Sequence, residues 1–211
     1  MIHQVFRVGP IACNCSILGD EQTREAIVVD PGDDISTIHD FLVQNNLRVK
    51  QIVVTHAHID HVAGAAQLRR LTGAPIVMNE ADLPLLRMMD IQAGWFGVKT
   101  PEVIPPDIHA ADGLQVKFGE TGGNILHTPG HTMGSICVHF PSESLLLSGD
   151  TLFAGTVGRT DLPGGSAEML AQSIRERLLD LPESTRIVPG HGRETVLAVE
   201  LQSNPYIRDL I

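Results

Sequence analysis

Apolar and polar residues alternate in two ways along the chain, and both halves of the chain begin with strand-like runs. Short runs rich in Val, Ile and Leu are bounded by turn-forming pairs such as Gly9-Pro10. Longer stretches carry apolar residues at helical spacing, as Ile35, Ile38 and Leu42 do. In the first half these patterns predict strands at residues 2–8, 15–18, 26–29, 51–54 and 75–78, and helices at residues 35–44, 62–71 and 80–89.

The second half of the chain repeats this order. Strands followed by helices, twice over and without a linker, predict an α/β fold in which two β-rich halves pack face to face with helices outside. We therefore treat residues 1–211 as a single domain. The predicted strands of this half are residues 114–118, 125–127, 136–140, 145–147 and 186–188, and the predicted helices are residues 167–181 and 195–202.

Residues 91–107 separate the two halves and fit neither pattern. They contain the only Trp, Trp95, together with Phe96, two Gly and three Pro. We predict a loop here. Two interpretations stay open, a loop that leans over a functional site and a surface connection whose aromatic side chains cover the core.

Composition narrows the class of protein. Of the 211 residues, 43% are apolar and 19% are charged, which is typical of a globular protein. The 15 Lys and Arg against 25 Asp and Glu give a net charge of −10, which argues against a nucleic-acid partner. Three Cys are too few for a disulfide framework. The first residues lack the apolar segment of a signal peptide. No apolar stretch approaches the ~20 residues of a membrane span. We expect a soluble cytoplasmic protein without a membrane partner, and its oligomeric state stays unknown.

The chemistry is concentrated in Thr55-His56-Ala57-His58-Ile59-Asp60-His61, directly after the predicted strand 51–54. His56 and His58 are two residues apart, so in an extended segment their side chains point the same way. Asp60 and His61 follow where the chain turns into a helix. One strand-to-helix loop can therefore present two imidazoles to one metal ion, and a carboxylate and a third imidazole to another.

Single ligand residues return at the ends of three later strands. They stand in Pro129-Gly130-His131, Gly149-Asp150 and Pro189-Gly190-His191. Small residues before each ligand let the backbone turn sharply and let other groups approach closely. Five His and two Asp are too many for one tetrahedral zinc. They suit two metals, with three His on one, two His and an Asp on the other, and one Asp bridging.

The remaining histidines and the cysteines lack this setting. We interpret them as structural or surface residues, although His127 is near enough to the cluster to orient a ligand. Cys13 and Cys15 could form a redox pair or supply an extra ligand, but their place at the entry to a strand favours a structural role. The other histidines of this class are residues 3, 39, 109 and 139.

Four motifs together resemble the metallo-β-lactamase superfamily, and within it the glyoxalase II group, above all the short bacterial members without the C-terminal helical domain. They are Thr-His-Ala-His-Ile-Asp-His, Pro-Gly-His-Thr-Met-Gly-Ser, Ser-Gly-Asp-Thr-Leu-Phe and Pro-Gly-His-Gly. The resemblance implies a four-layer αββα sandwich with two divalent metal ions, zinc as the first expectation and iron or manganese as alternatives. It implies one metal on His56, His58 and His131, a second on Asp60, His61 and His191, and Asp150 as the bridge, with Asp60 and Asp150 as the catalytic carboxylates.

The resemblance implies hydrolysis of a small-molecule thioester, such as an S-acylglutathione, by hydroxide held between the metals. Arg159 matches a basic substrate-binding position of the group, whereas Asp161 falls where the group often has Tyr. Gly158-Arg159-Thr160-Asp161 also resembles a persulfide dioxygenase of the same fold with one iron, which is the alternative function. A β-lactamase of this fold would typically lack Asp150, and a flavo-di-iron protein would have Glu in place of His58.

Overall fold

The computed structural model describes residues 1–208, and two mixed six-stranded sheets form its centre. The first sheet starts with antiparallel strands and continues with parallel ones. In spatial order its strands are β1 (Ile2–Val8), β2 (Cys13–Gly19), β3 (Glu25–Val29), β4 (Arg48–Val53), β5 (Ile76–Met78) and β6 (Ile108–His109). The helices of this half are α1 (Ile35–Gln44), α2 (Ile59–Val62), α3 (Ala65–Thr72), α4 (Leu83–Leu86) and α5 (Met89–Phe96).

The strands of the second sheet are β7 (Gln115–Phe118), β8 (Thr121–His127), β9 (Ile136–Phe140), β10 (Leu145–Gly149), β13 (Arg186–Pro189) and β14 (Thr195–Val196). Their spatial order is β14-β13-β10-β9-β8-β7, with β10 and β13 parallel and the other pairs antiparallel. A small ribbon of β11 (Leu152–Phe153) and β12 (Thr156–Val157) follows β10, and the helices are α6 (Ala167–Arg177), α7 (Leu197–Ser203) and α8 (Pro205–Arg208).

Side-chain alternation along the strands divides the core into three layers. In β4, Val53 faces the second sheet, whereas Ile52 before it packs with the helices of the first half. In β10, Leu145 faces the first sheet, whereas Leu146 packs with α6 and α7. An apolar layer therefore fills the space between the sheets, and one helical layer covers each outer face. This arrangement confirms the predicted αββα sandwich.

Two differences from the predicted elements bear on function. Residues 91–96, predicted as loop, form most of α5, because buried Gln92 and Ala93 anchor the segment to the core. Gly94 and the aromatic residues are weak helix formers, so the local sequence gives little sign of this helix. The helix predicted at residues 167–181 ends at Arg177. No helix within residues 1–208 is long and apolar enough to cross a membrane.

Backbone hydrogen bonds join the two sheets at the edge where the predicted ligands lie. The N–H of Ile136 in β9 donates to the carbonyl of Thr55 after β4, at 2.9 Å. The N–H of Asn14 in β2 donates to the carbonyl of Gly190 after β13, at 2.7 Å. The loops that follow β4, β8, β10 and β13 therefore open toward one common place.

Glycines in the first half give a direct test of this packing. A Cβ on Gly64 would overlap the Ile35 side chain and the Pro31 carbonyl, whereas one on Gly94 in α5 would meet no atom within 4 Å. Gly64→Ala should lower the free energy of unfolding by about 2–3 kcal/mol through overpacking. Gly94→Ala should raise it by about 0.5–1 kcal/mol because Ala is the better helix former. Urea denaturation of both variants checks this, and shifts of the same sign would contradict the described packing.

Candidate metal centre

The first ligand loop starts from a fixed backbone anchor. The Thr55 N–H and hydroxyl both donate to the buried carboxylate of Asp30, each at 2.7 Å. His56 follows in a bend, His58 is extended, and α2 then begins at Ile59. The loop thus places two histidines before the helix, and Asp60 and His61 on its first turn.

One group of predicted ligands consists of His56, His58 and His131. All three side chains are buried, and their ligand nitrogens lie within 4.8 Å of one another. His58 Nδ1 and His131 Nε2 are 2.9 Å apart. Two imidazole nitrogens on one tetrahedral zinc, each about 2.0–2.1 Å from the ion, would lie about 3.3 Å apart. The spacing therefore suits a shared ion.

Asp60, His61 and His191 form the second group. His61 Nε2 and His191 Nε2 are 3.2 Å apart. Asp60 Oδ2 lies 3.0 Å from His191 Nε2 and 3.5 Å from His61 Nε2. The group thus combines two imidazoles with one carboxylate, the set predicted from the count of ligands.

Asp150 lies between the two groups. Its Oδ2 is 3.5 Å from His131 Nε2 in the first group and 3.8 Å from His191 Nε2 in the second, and its Oδ1 is 3.5 Å from His61 Nε2. Asp150 Oδ1 and His56 Nε2 are buried without a hydrogen-bond partner among residues 1–208. Unpaired buried polar atoms are rare in folded proteins, and metal coordination would satisfy them. The structure thus brings all seven predicted ligands together, in an arrangement suited to metals.

Burial and neighbouring charges favour the metal-binding protonation states of His56, His58 and Asp60, whereas the pKa values of His61 and His191 are raised against the opposing effect of burial. Burial lowers the pKa of His58 to about 3, helped by nearby His131. Burial also lowers the pKa of His56 well below its usual value, with neighbouring His61 adding to the effect. Burial opposes a charge on Asp60, but His61 beside it brings its pKa well below the usual value. Neutral His56 and His58 and an ionised carboxylate are the protonation states that metal binding requires.

Glycine is needed at two positions because other parts of the site lie against it. A Cβ on Gly190 would overlap Asp150 Oδ1 and come within 2.7 Å of His61 Cε1. A Cβ on Gly158 would overlap the carbonyl of Asp150. At these positions the close approach is made by ligand residues, so any larger side chain would push them apart.

The role of Asp30 is not evident from the sequence, which gives it only as a strand breaker after Val29. Its Oδ2 accepts from the Thr55 hydroxyl and lies 2.9 Å from His61 Nδ1. A carboxylate on Nδ1 holds that nitrogen protonated and leaves Nε2 free to act as a ligand. Asp30 therefore orients His61 and anchors the loop that carries it.

Asp82 connects two ligand loops and is also missed by sequence reasoning. Its buried carboxylate accepts from the Ala57 N–H at 2.9 Å, the Thr132 hydroxyl at 2.8 Å and the Gly134 N–H at 2.6 Å. Ala57 stands between His56 and His58, and Thr132 follows His131. Burial raises the pKa of Asp82, and these donors counter that effect. Asp82 thus fixes the loops that form the first group.

Gln92 of α5 completes this framework. Its Oε1 accepts from the Ile59 N–H at 2.9 Å, and its Nε2 donates to the Ala57 carbonyl at 3.1 Å. Because Gln92 is buried and grips the first ligand loop on both sides of His58, α5 is held beside the cluster.

Cys13 contacts the cluster from behind. Its Sγ lies 3.6 Å from His61 Nδ1, the nitrogen turned away from His191. Cys13, His61 and His191 are close enough to form a metal group, but a metal between the histidines would use the other nitrogen of His61. Burial raises the pKa of the Cys13 thiol to about 12. With Cys13 and Cys15 both buried and unbonded to each other, the structural interpretation is the better one.

His127 and Arg159 lie around the first group without joining it. His127 Nε2 pairs with the Met133 carbonyl at 3.0 Å, so it braces the loop rather than a ligand ring. The Arg159 carbonyl accepts from His131 Nδ1 at 2.7 Å, which orients that ligand. The Arg159 guanidinium makes two hydrogen bonds of 2.7 Å to Asp161, and both side chains are exposed. A substrate contact by Arg159 stays a prediction.

Comparisons with known proteins agree with this geometry. The chain is 36% identical to hydroxyacylglutathione hydrolase GloC of Haemophilus influenzae, over 97% of each chain. The crystal structure of the B3 metallo-β-lactamase BLEG-1 matches with a TM-score of 0.90 and 30% identity, covering 98% of this chain and 99% of that one. TTHA1623 in a di-iron-bound form matches with a TM-score of 0.87 and 34% identity, covering 96% and 99%. A family model described as the metallo-beta-lactamase superfamily matches residues 8–191, and the chain belongs to that superfamily.

Proposed function

We propose that this metallohydrolase-like chain cleaves thioesters of the S-acylglutathione type with two bound metal ions. The observation that carries the proposal is the position of the Asp150 carboxylate between two complete ligand groups. The likeness to a relative named hydroxyacylglutathione hydrolase supports the choice of substrate.

The seven ligands would divide into two sets, as described above, with Asp150 shared. Their mixture of imidazole and carboxylate accepts zinc, iron or manganese. Zinc is our first expectation, although TTHA1623 has been solved in a di-iron-bound form. Two such ions when bound supply an acidified water and an electrophile for a carbonyl oxygen.

The chain's own residues hold this chemistry in place. Asp150 puts negative charge between the two groups and offsets the repulsion of two cations. Asp30 orients His61 and the Arg159 carbonyl orients His131, so both rings present Nε2 to the cluster. Cys13, the nearest thiol, lies behind His61 and cannot reach a substrate from there.

The leaving group favours a thioester over an amide. A thiol has a pKa of roughly 8.5, so a thiolate can depart near neutral pH without first receiving a proton. Asp60 and Asp150 can then act throughout as ligands, and no separate proton donor is required. An amine released from an amide would need such a donor.

The alternative, a persulfide dioxygenase with one iron, is less well supported. It would use only one group of ligands, whereas the structure assembles a second, Asp60, His61 and His191, around the same Asp150. BLEG-1 is named a B3 metallo-β-lactamase, so a β-lactam serves as the negative-control substrate for this chain.

Metal analysis and substrate assays test the proposed function together. Metal-replete protein should bind two ions per chain and hydrolyse S-lactoylglutathione, because seven ligands serve two ions and metal chemistry needs no protein nucleophile. The same preparation should leave a β-lactam intact and should not consume dioxygen with glutathione persulfide. One iron per chain together with dioxygen consumption would establish the dioxygenase instead.

Asp150→Ala should be more damaging than the loss of a ligand from one group. Because Asp150 faces both groups, its removal should empty both metal positions and lower kcat by at least about 10³-fold, the scale of a lost essential group. Asp60→Ala is the matched comparison, and it should deplete mainly one ion. Metal content of the two purified variants distinguishes these outcomes. An Asp150→Ala protein that retained two ions and most activity would rule out a shared role.

Arg159→Ala should raise the KM for S-acylglutathione about 2- to 5-fold with little change in kcat, as expected for an exposed charged contact to a remote part of the substrate. Asp161→Ala is the control, since it breaks the same ion pair but frees the guanidinium. That variant should leave KM unchanged or lower it. Equal increases in both single variants, with no further effect in the double variant, would show that the pair only braces its loop.

A further inference from the structure

A groove of about 590 Å³ begins at the second ligand group, where Asp60 forms part of its wall. The turn after β1, the segment before α1, the helix α2 and the chain that follows α5 surround it. Phe96, Val98, Lys99 and Pro101, at the C-terminal end of α5 and beyond, line the same groove as Asp60.

Apolar side chains form about half of the groove wall. Ile11 comes from the turn after β1, Ile59 and Ala63 from α2 and the residue after it, and Phe96 and Val98 from the far side. Phe96 is 48% exposed and Val98 is 42% exposed. Apolar surface that is left open to solvent beside a reactive centre is typical of a binding site.

The position of Phe96 is fixed by the ligand loop itself. Gln92 grips Ala57 and Ile59 through its amide, and Phe96 stands four residues later on the same helix. Residues i and i+4 lie on one face of a helix. The wall and the metal ligands are therefore held by one connected framework.

The charges around the groove disfavour an anionic occupant. Among residues 1–208, Lys99 is the one basic residue that lines it, against Asp33, Asp34 and Asp60. The basic residue expected to attract the carboxylates of a glutathione-like thiol is Arg159, which lies beside His131 of the first group. A thioester bound across the cluster would thus direct its thiol portion toward Arg159 and its acyl portion into the groove.

We infer that this groove binds the acyl group of the substrate and selects neutral, apolar acyl chains longer than acetyl. The inference rests on the proposed thioesterase function and deepens it by naming the substrate class. Each methylene transferred from water into an apolar site is worth about 0.8 kcal/mol, or about 4-fold, when it is fully buried. In an open groove we expect about 2- to 3-fold per methylene.

A series of thioesters with one constant thiol tests the inference. For metal-loaded full-length protein, kcat/KM should rise from S-acetylglutathione through S-butanoylglutathione to S-hexanoylglutathione. A second readout does not depend on turnover. In calorimetry, hexanoate should bind the same protein more tightly than acetate, because both acids carry the same carboxylate and differ only in the chain.

Phe96→Ala removes the apolar wall, and the neighbouring Trp95→Ala is the matched control. Trp95 has the same 48% exposure on the same helix but does not line the groove. Phe96→Ala should remove most of the gain in kcat/KM from the acetyl to the hexanoyl substrate. Trp95→Ala should keep the full chain-length dependence.

The outcomes distinguish a failure of the acyl groove from a failure of the proposed thioesterase function. Hydrolysis of all three thioesters at similar kcat/KM, or an equal effect of the two variants, would overturn the acyl groove and leave the thioesterase function standing. Tighter hexanoate binding that depends on Phe96, without hydrolysis of any thioester, would support the groove and overturn the proposed function.

Discussion

The cluster depends on two β-sheets that are held together by backbone hydrogen bonds at one edge. Both ligand groups contain residues from each sheet: His131 joins the histidines that follow β4, and His191 joins Asp60 and His61. The bonds from Ile136 to Thr55 and from Asn14 to Gly190 fix the sheets where these loops meet. A small sliding of one sheet would separate both ligand groups at once, because neither group is complete on a single sheet.

Two buried carboxylates, those of Asp30 and Asp82, connect the ligand loops to one another and to the sheets. A buried charge is costly unless several donors satisfy it. Asp30 and Asp82 each receive at least three such contacts, and nearly all of the donors belong to ligands or to residues beside them. The same hydrogen bonds that make the buried charge tolerable therefore define the shape of the site, and a change at either Asp would disturb geometry without removing a ligand.

The sequence predicts which side chains gather in the cluster because their signals are local. His56 and His58 have the spacing of an extended segment, and His131, Asp150 and His191 each follow a strand and a small residue. The layered sandwich follows from strand patterns in the same way. Gln92 and Asp82 carry no local signal, because their partners in the ligand loops lie 25 to 52 residues away in sequence and meet them only in the fold. The sequence does not predict α5 either, because its residues are weak helix formers and a tertiary contact through Gln92 stabilises the helix.

The cluster and the exposed residues around it have different proposed roles. The predicted metal ligands are buried or half-buried and come from both sheets, so their geometry tolerates little variation. Arg159, Phe96 and Lys99 are exposed, and they lie on segments outside the ligand loops. Exposed residues can change without altering the hydrogen bonds that hold Asp30, Asp82 or the ligands. We therefore expect the exposed residues on the two flanks of the cluster to select the substrate, and the cluster itself to set only the kind of reaction.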